Sequence, residues 1–293
     1  MKDFDFVQLR ALAAVIDEGS FEQAAAALHV TPSAISQRIK ALETSAGRVL
    51  VRRSNPSEIT PAGHVYLRLA RQVDILVQDA ASDSAASQER RLTIPLAVNS
   101  DSLATWVLPA LAQFSERTYF DLHREDQDHS ADLLRAGTVM AAITTDAEAI
   151  QGCNISRLGV MRYRPMAAPN FVHRRFADGI TASSLSHAPV VVFDRKDDLQ
   201  DRYLRRRSRT AVARSRHHIP GSSDFVEAVR LGYGWGMLPD LQSASLEAAG
   251  ELIEIDPGEH LDVVLYWQQW TLETPTLSAI AAAIRSAALE ALL

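Results

Sequence analysis

The sequence has one cysteine, Cys153, in 293 residues. A lone thiol makes neither an internal disulfide nor a multi-thiolate metal site, which excludes a disulfide-stapled scaffold. No uncharged stretch reaches the roughly 18 apolar residues that a membrane span needs. The opening MKDFDF carries acids where an export signal carries a basic and then an apolar run. A cytoplasmic chain with no membrane partner is therefore expected. Positive charge is also in deficit: the net charge of −6 argues, over the whole chain, against a nucleic-acid partner. With 47% hydrophobic and 23% charged residues the chain is globular in composition. At about 150 residues per domain, its length suggests two or three domains.

The distribution of charge changes that first reading. Residues 31–60 carry Arg38, Lys40, Arg48, Arg52 and Arg53 against only Glu43 and Glu58. Phosphate binding depends on the local field, so a small basic patch on an acidic body is compatible with DNA. The same region reads as three short helices. Leu9, Leu12, Val15 and Ile16 recur at helical spacing and Gly19 closes the run. Ser20 and Gln23 form a candidate capping box for the second helix. Thr31 is a good N-cap for the third, with Pro32 at the first helical position, where its missing N–H is not needed. Only His29, Val30 and Thr31 separate the second helix from the third, and the Ala24–Ala27 run lets them approach closely. This is a helix-turn-helix pattern with the third helix as reader. The segment GRVLVRRSNPSEITPAG then reads as a two-stranded wing.

From Thr60 a long helix is expected to run to about residue 89, capped by Thr60 with Pro61 at its first position. Val65, Leu69, Val73, Leu76 and Ala80 form a narrow apolar seam close to coiled-coil spacing, which points to dimerisation rather than packing on its own domain. Beyond Arg91, strand-like runs (RLTIPLAV, FDLHRED, MAAIT, PVVVFD, GWGMLP, DVVLYW) alternate with helical ones. That alternation predicts α/β layering with mostly parallel strands, long enough for two small lobes.

Together, GSFEQAAAALHVTPSAISQRIKALE, the RR-containing wing, the long helix and the α/β remainder resemble the LysR-type transcriptional regulators. The stretches NSDSLATWVLPAL, GCNISRLGVMRY, FDRKDDLQ and GWGMLP resemble the LysG/ArgP (IciA) subfamily of lysine- and arginine-responsive regulators. The resemblance implies an α+β multi-domain chain. A winged helix-turn-helix would span 1–60, a linker and dimerisation helix 61–90, and a two-lobed effector domain like a periplasmic binding protein 91–293. Lobe one would be 92–163 with 270–293, and lobe two 164–269. It further implies a homodimer, assembled as a dimer of dimers, on double-stranded operator DNA, with RNA polymerase as a further partner.

On the DNA side, Thr31 and Ser33 at the start of the third helix are candidates for phosphate oxygens. Ser36 and Gln37 are candidates for base edges, with Arg38 and Lys40 beside them. Arg52 and Arg53 on the wing would meet the backbone or the minor groove. On the other side no metal cluster, phosphate loop or nucleophile elbow is present: GYGWG is followed too soon by MLPD for a dinucleotide fold. The adjacent His217 and His218 would not converge on a metal, and the arginine run 202–209 reads as a solvated helix face.

No cofactor and no enzymatic activity are expected. Effector contacts are sought beyond strand ends, where ligands bind in α/β sheets. These are Asn99, Ser100, Asp101, Ser102, Asp126, Thr144, Asp146, Asp194, Ser222 and Ser223. Ser100 and Ser222 would take the carboxylate of a basic amino acid, lysine first, then arginine or histidine. Asp126, Asp146, Asp101 and Asp194 would take its cations. Each of these aspartates fits a helix cap equally well, and Gly221 stands where the subfamily resemblance suggests a serine. The expected function is effector-controlled regulation of lysine or arginine export or metabolism. The alternatives are an effector-independent architectural or replication-inhibiting DNA binder, and a solute-binding α/β protein.

Overall fold

The computed structural model describes residues 5–81, 92–124, 130–272 and 274–293. The head consists of α1 (Phe6–Asp17), α2 (Phe21–Ala27) and α3 (Pro32–Ala46). Asp5 caps α1 by accepting from the Val7 amide at 3.0 Å. Ser20 accepts from the Gln23 amide at 3.1 Å, the half of the expected capping box that forms. Thr31 accepts from the Ala34 amide at 3.2 Å. Between α2 and α3 the chain turns at His29, whose φ of +54° is left-handed. Leu12, Val15, Ala24, Ile35 and Leu42 are wholly enclosed, so the small alanines do let α2 close on its neighbours. The wing pairs β1 (Val51–Arg52) with β2 (Glu58–Ile59) antiparallel.

The linker begins later than its cap signal suggests. Residues 61–63 form a turn, and α4 runs His64–Ala81. Thr60 still pins that turn, donating to the Val49 carbonyl at 2.8 Å and accepting from the Gly63 amide at 3.2 Å. The expected continuation to residue 89 lies outside the described residues. Leu67, Ala70 and Ile75 are buried, whereas Val65, Leu76 and Val77 are exposed. No residue of the seam Val65, Leu69, Val73, Leu76 and Ala80 is buried. So α4 uses one side for its own head, against which Leu69 of the seam also packs, while Val65, Leu76 and Ala80 are exposed.

Contacts divide the chain into two units. The first comprises Met1–Val98, Gln113–Ser156 and Trp267–Ala282. Besides head and linker it holds β3 (Leu92–Val98), β4 (Thr118–Arg124), α7 (Ser130–Ala136) and β5 (Ala141–Thr144). Here β3 lies between β4 and β5, parallel to both.

The second unit comprises Asn99–Ala112, Arg157–Tyr266 and Ala283–Leu293. It opens with α5 (Ser100–Ser102), which passes through a π-turn (Leu103–Val107) into α6 (Leu108–Leu111). Its strands are the body of β6 (Cys153–Ala167), then β7 (Val190–Val192), β8 (Arg216–His218), β9 (Gly236–Pro239), β10 (Ile253–Glu254) and most of β11 (Leu261–Trp270). Helices α8 (Pro169–Arg175), α9 (Ala182–His187), α10 (Leu199–Arg207), α11 (Ser222–Arg230) and α12 (Asp240–Ala248) complete it. The last helix, α13 (Pro275–Ala291), begins in the first unit and ends in the second.

The parallel pairing expected of the α/β region holds for β3–β4, β3–β5 and β7–β8. It fails at β6, a strand the apolar pattern hid, which pairs antiparallel with both β9 and β10. Arginines interrupt its apolar run. Arg162 is held by Asp262 of β11 through two bonds of 2.8 and 2.9 Å, and Arg164 reaches Glu247 at 2.7 Å and Glu254 at 2.9 Å.

Within the first unit one guanidinium ties three helices together. Arg71 of α4 is 7% exposed, donates to the Gly137 carbonyl at 2.9 Å, and forms an ion pair with Asp17. Asp17 ends α1 and Gly137 follows the end of α7, so two negative helix C-termini converge on one cation. Gly137 has φ +74°, and a Cβ there would lie 3.0 Å from the Arg68 backbone nitrogen. Glycine is thus required both by conformation and by the approach of α7 to α4. Replacing Arg71 by Met should leave the Gly137 carbonyl unpaired and cost about 1–3 kcal/mol. Urea unfolding of the full chain checks this, and an unchanged midpoint would refute it.

Candidate functional site

Two places gather the residues singled out by the sequence. The first is the outward side of α3. Ile35, Ile39 and Leu42 are buried on the head, which turns Ser33, Gln37 and Lys40 fully outward and leaves Ser36 and Arg38 half-exposed. Thr31 and Ser33 share a 2.9 Å hydroxyl–hydroxyl bond while Thr31 caps the helix. On the wing, Arg52 pairs with Glu58 at 3.1 Å across the two strands. Arg53 stacks over Phe21, its guanidinium carbon 4.5 Å from the ring centroid. That stack holds the wing against the start of α2, so the Arg53 side chain has a local packing role as well as its charge.

The second place is a polar centre in the second unit, built on Asp101. The Asp101 carboxyl is enclosed by hydroxyls: Tyr163 donates to one oxygen at 2.7 Å, Ser222 to the other at 2.6 Å. The backbone carbonyl of Asp101 accepts from Thr105 at 2.6 Å, and the π-turn follows immediately. Such turns concentrate at functional sites because they re-aim side chains within a helix. Burial pushes the Asp101 carboxyl above its ordinary value, and the two hydroxyl bonds only partly counter this. Tyr163 is pushed well above the ordinary phenol value by burial first and by the Asp101 charge second.

Asp197 belongs to the same centre. Its oxygens accept from the Phe193 amide at 2.8 Å and the Leu199 amide at 3.1 Å. Burial raises it, those amides lower it, and the charge of Asp101 adds to the rise. Gln200, with no exposed surface, lies close enough to Asp197 for its side chain to add to that lowering. Asn99 Oδ1, Ser102 Oγ and Trp106 Nε1 are buried without partners among the described residues.

The remaining expected effector residues are placed as follows. Ser222, expected to meet a ligand carboxylate, spends its hydroxyl on Asp101, with the Gln242 side-chain oxygen 3.2 Å away. Asp194 accepts from the amides of Lys196 and Asp197 at 2.7 and 2.9 Å, and so shapes the turn before α10. Thr144 and Asp146 lie in the first unit, where Thr144 accepts from the Asp146 amide and Asp146 from that of Glu148, each at 3.0 Å. Ser100 is half-exposed at the start of α5, and Ser223 is exposed. Asp126 lies outside the described residues. Tyr163, Asp197, Gln200 and Gln242 were missed: the first three lie within the stretches GCNISRLGVMRY and FDRKDDLQ, but no local pattern assigns any of the four a role.

No group of three or more His, Cys, Asp or Glu suited to a metal occurs among the described residues. Nor is any described helix long and apolar enough to cross a membrane.

Residues 6–64 match the bacterial regulatory helix-turn-helix protein, lysR family, and residues 87–289 match the LysR substrate binding domain. The chain belongs to the LysR family of transcriptional regulators. It is 44% identical over 285 residues to the HTH-type transcriptional regulator LysG of Mycobacterium tuberculosis, covering 97% of this chain and 93% of that one. It is 39% identical over 289 residues to the lysine export transcriptional regulatory protein LysG of Corynebacterium glutamicum, covering 98% of each. Among solved structures, ArgP from Mycobacterium tuberculosis superposes with a TM-score of 0.85 at 44% identity, covering 97% of both chains. Full-length LysG from Corynebacterium glutamicum with bound effector Arg gives 0.76 at 37% identity, covering 98% of this chain and 99% of that one.

In this LysR-type regulator two smaller features are explained by packing. A Cβ on Gly221 would lie 2.3 Å from an Asp224 carboxylate oxygen, so that carboxylate fills the space a serine side chain would take. The arginine run of α10 is engaged with its own surroundings: Arg206 donates to the His260 carbonyl at 2.8 Å, Arg207 pairs with Asp256, and Arg202 and Arg205 face Asp198.

The raised Asp101 and Asp197 carboxyls have a consequence for stability. Above the ordinary carboxyl value of 3.8 the unfolded chain loses these protons before the folded chain does, so stability falls as pH rises through the window between the two. Asp101→Asn should remove its share of that fall, gaining stability relative to the parent as pH rises from 3.8 upward. Thermal melts across that range, run without ligand, check the sign. A difference that shrinks with rising pH would contradict it.

Proposed function

We propose that this LysR-type regulator senses a basic amino acid, lysine first with arginine or histidine as relatives, and controls genes for its export or metabolism. The observation that carries the reading is that the Asp101 and Asp197 carboxyls of the second unit are bonded by hydroxyls and amides, with no described Lys or Arg bonded to either. Like charges in a low-dielectric site favour a cationic guest. The arginine named as effector in the Corynebacterium glutamicum LysG structure agrees with that chemistry. We further propose a dimer paired through the exposed residues Val65, Leu76 and Ala80 of the α4 seam, which positions two reading heads on a partly palindromic operator, and a dimer of dimers above it. Such a regulator works in the cytoplasm, without a catalytic role, and meets RNA polymerase at the promoter.

Calorimetric titration with lysine, arginine, histidine and leucine tests the effector. Heat from the basic amino acids and none from leucine is expected; equal heat from leucine overturns the reading.

On the DNA side, Thr31, Ser33, Arg38, Lys40, Arg52 and Arg53 are assigned to the backbone, Ser36 and Gln37 to base edges. Gln37→Ala should cost about 1–3 kcal/mol on the operator and relax preference at one half-site position. Lys40→Ala should weaken all sequences alike and reduce the salt slope by about one. Binding measured over an operator panel at several salt concentrations separates the two, and identical profiles would refute the division.

A further inference from the structure

We propose that Phe21, at the start of α2, is a positioning residue for DNA binding: its ring holds the Arg53 guanidinium of the wing in place before DNA arrives. This rests on the assignment of Arg53 to the DNA backbone made above, and adds the residue on which that contact depends.

The chain that carries Arg53 is fixed at both ends. At the root of the wing, one carboxylate oxygen of Glu43 in α3 accepts from the Leu50 amide at 2.8 Å and the Val51 amide at 3.3 Å. The Thr60 amide closes the same root by donating to the Leu50 carbonyl at 2.9 Å. At the tip, the Ser57 amide donates to the Gly19 carbonyl at 2.7 Å. Gly19 has φ +72°, and a Cβ there would lie 3.2 Å from the Pro56 Cβ, so the turn between α1 and α2 sits directly against the tip. The wing is thereby tied to the reading helix at one end and to the start of α2 at the other.

The side chains complete the arrangement. Phe21 is 9% exposed and belongs to the core of the head with Leu12, Ala24 and Ile35. The Arg53 guanidinium carbon lies over its ring, 4.5 Å from the centroid. A ring face attracts a cation through its quadrupole and leaves the charge uncancelled. Among the described residues no acid or carbonyl binds the Arg53 guanidinium, and the side chain is exposed. Arg52 shows the opposite arrangement, because Glu58 holds it at 3.1 Å and offsets its charge. Of the two wing arginines, one is matched within the wing and the other keeps its charge on a rigid seat.

A mobile arginine loses side-chain freedom when it meets a phosphate, and a guanidinium already seated on a ring loses less. Phosphate contacts contribute to binding on any duplex, so the gain is measurable on DNA of any sequence.

The test titrates the full-length protein with a random-sequence duplex about three helical turns long, at several salt concentrations. Arg53→Ala should weaken binding and lower the salt slope by about one. Phe21→Leu should weaken binding about fivefold and keep the parent's slope, since the charge remains. In the Arg53→Ala background the same Phe21→Leu change should have no further effect. A purely structural loss at Phe21 would weaken both backgrounds equally, and that result overturns the proposal. Arg53→Lys leaves the core untouched and gives a second measurement should Phe21→Leu not fold. It keeps the charge and gives up the flat guanidinium, so it should reproduce the Phe21→Leu loss with the parent's slope. Parent-like affinity of Arg53→Lys likewise overturns the proposal. Parent-like affinity of Arg53→Ala would instead remove the backbone contact itself, and the positioning role with it, which separates the two failures.

Discussion

One buried guanidinium holds the first unit in register. Arg71 meets the Asp17 carboxylate at the end of α1 and the backbone carbonyl of Gly137 after α7 at once. The close backbone approach of α7 to Arg68, possible only because residue 137 is glycine, brings the Gly137 carbonyl within its reach. The DNA-reading head, the linker and the parallel strands β3–β5 are consequently parts of one packed body. A cation desolvated to this degree is stable only while its partners stay in place, so the contact resists gradual deformation.

The polar centre of the second unit works on the opposite principle. Instead of one charge satisfied from several sides, it holds two carboxyls whose hydrogen bonds come from hydroxyls and amides. Burial raises both carboxyls, so each costs the fold stability above the ordinary carboxyl range. The π-turn after Asp101 belongs to the same arrangement, because it breaks the regular helix where the side chains converge.

The fold of the N-terminal head was readable residue by residue. Ser20, Thr31 and Pro32 set helix starts through bonds that span only three residues, and Ile35, Ile39 and Leu42 gave the inner side of α3 by spacing alone. Local rules suffice where the structure is local. They erred by three residues at α4, where the Thr60 hydroxyl serves a turn and the Val49 carbonyl instead of a helix. They missed β6 because its arginines break the apolar alternation, and those arginines are matched by acids 76 to 100 residues away. The aspartates illustrate the ambiguity best. Asp146 and Asp194 sit at strand ends as expected, yet each accepts from amides two or three residues on.

By itself the sequence determined the three helices and wing of the head, the presence of a long helix after them and the alternation of strands and helices beyond it. All of these follow from spacing and capping within a few residues. Only the tertiary structure decided which polar residues meet. Asp101 lies 62 residues from Tyr163 and 121 from Ser222, and nothing in the stretches between them signals the encounter. Nor could the sequence show that Arg71 leaves the polar side of α4 to become buried, since that depends on where α1 and α7 end in space. Charge in water is inexpensive anywhere along a chain. It becomes informative when folding removes the water, and which charges lose their water is a property of packing, not of order.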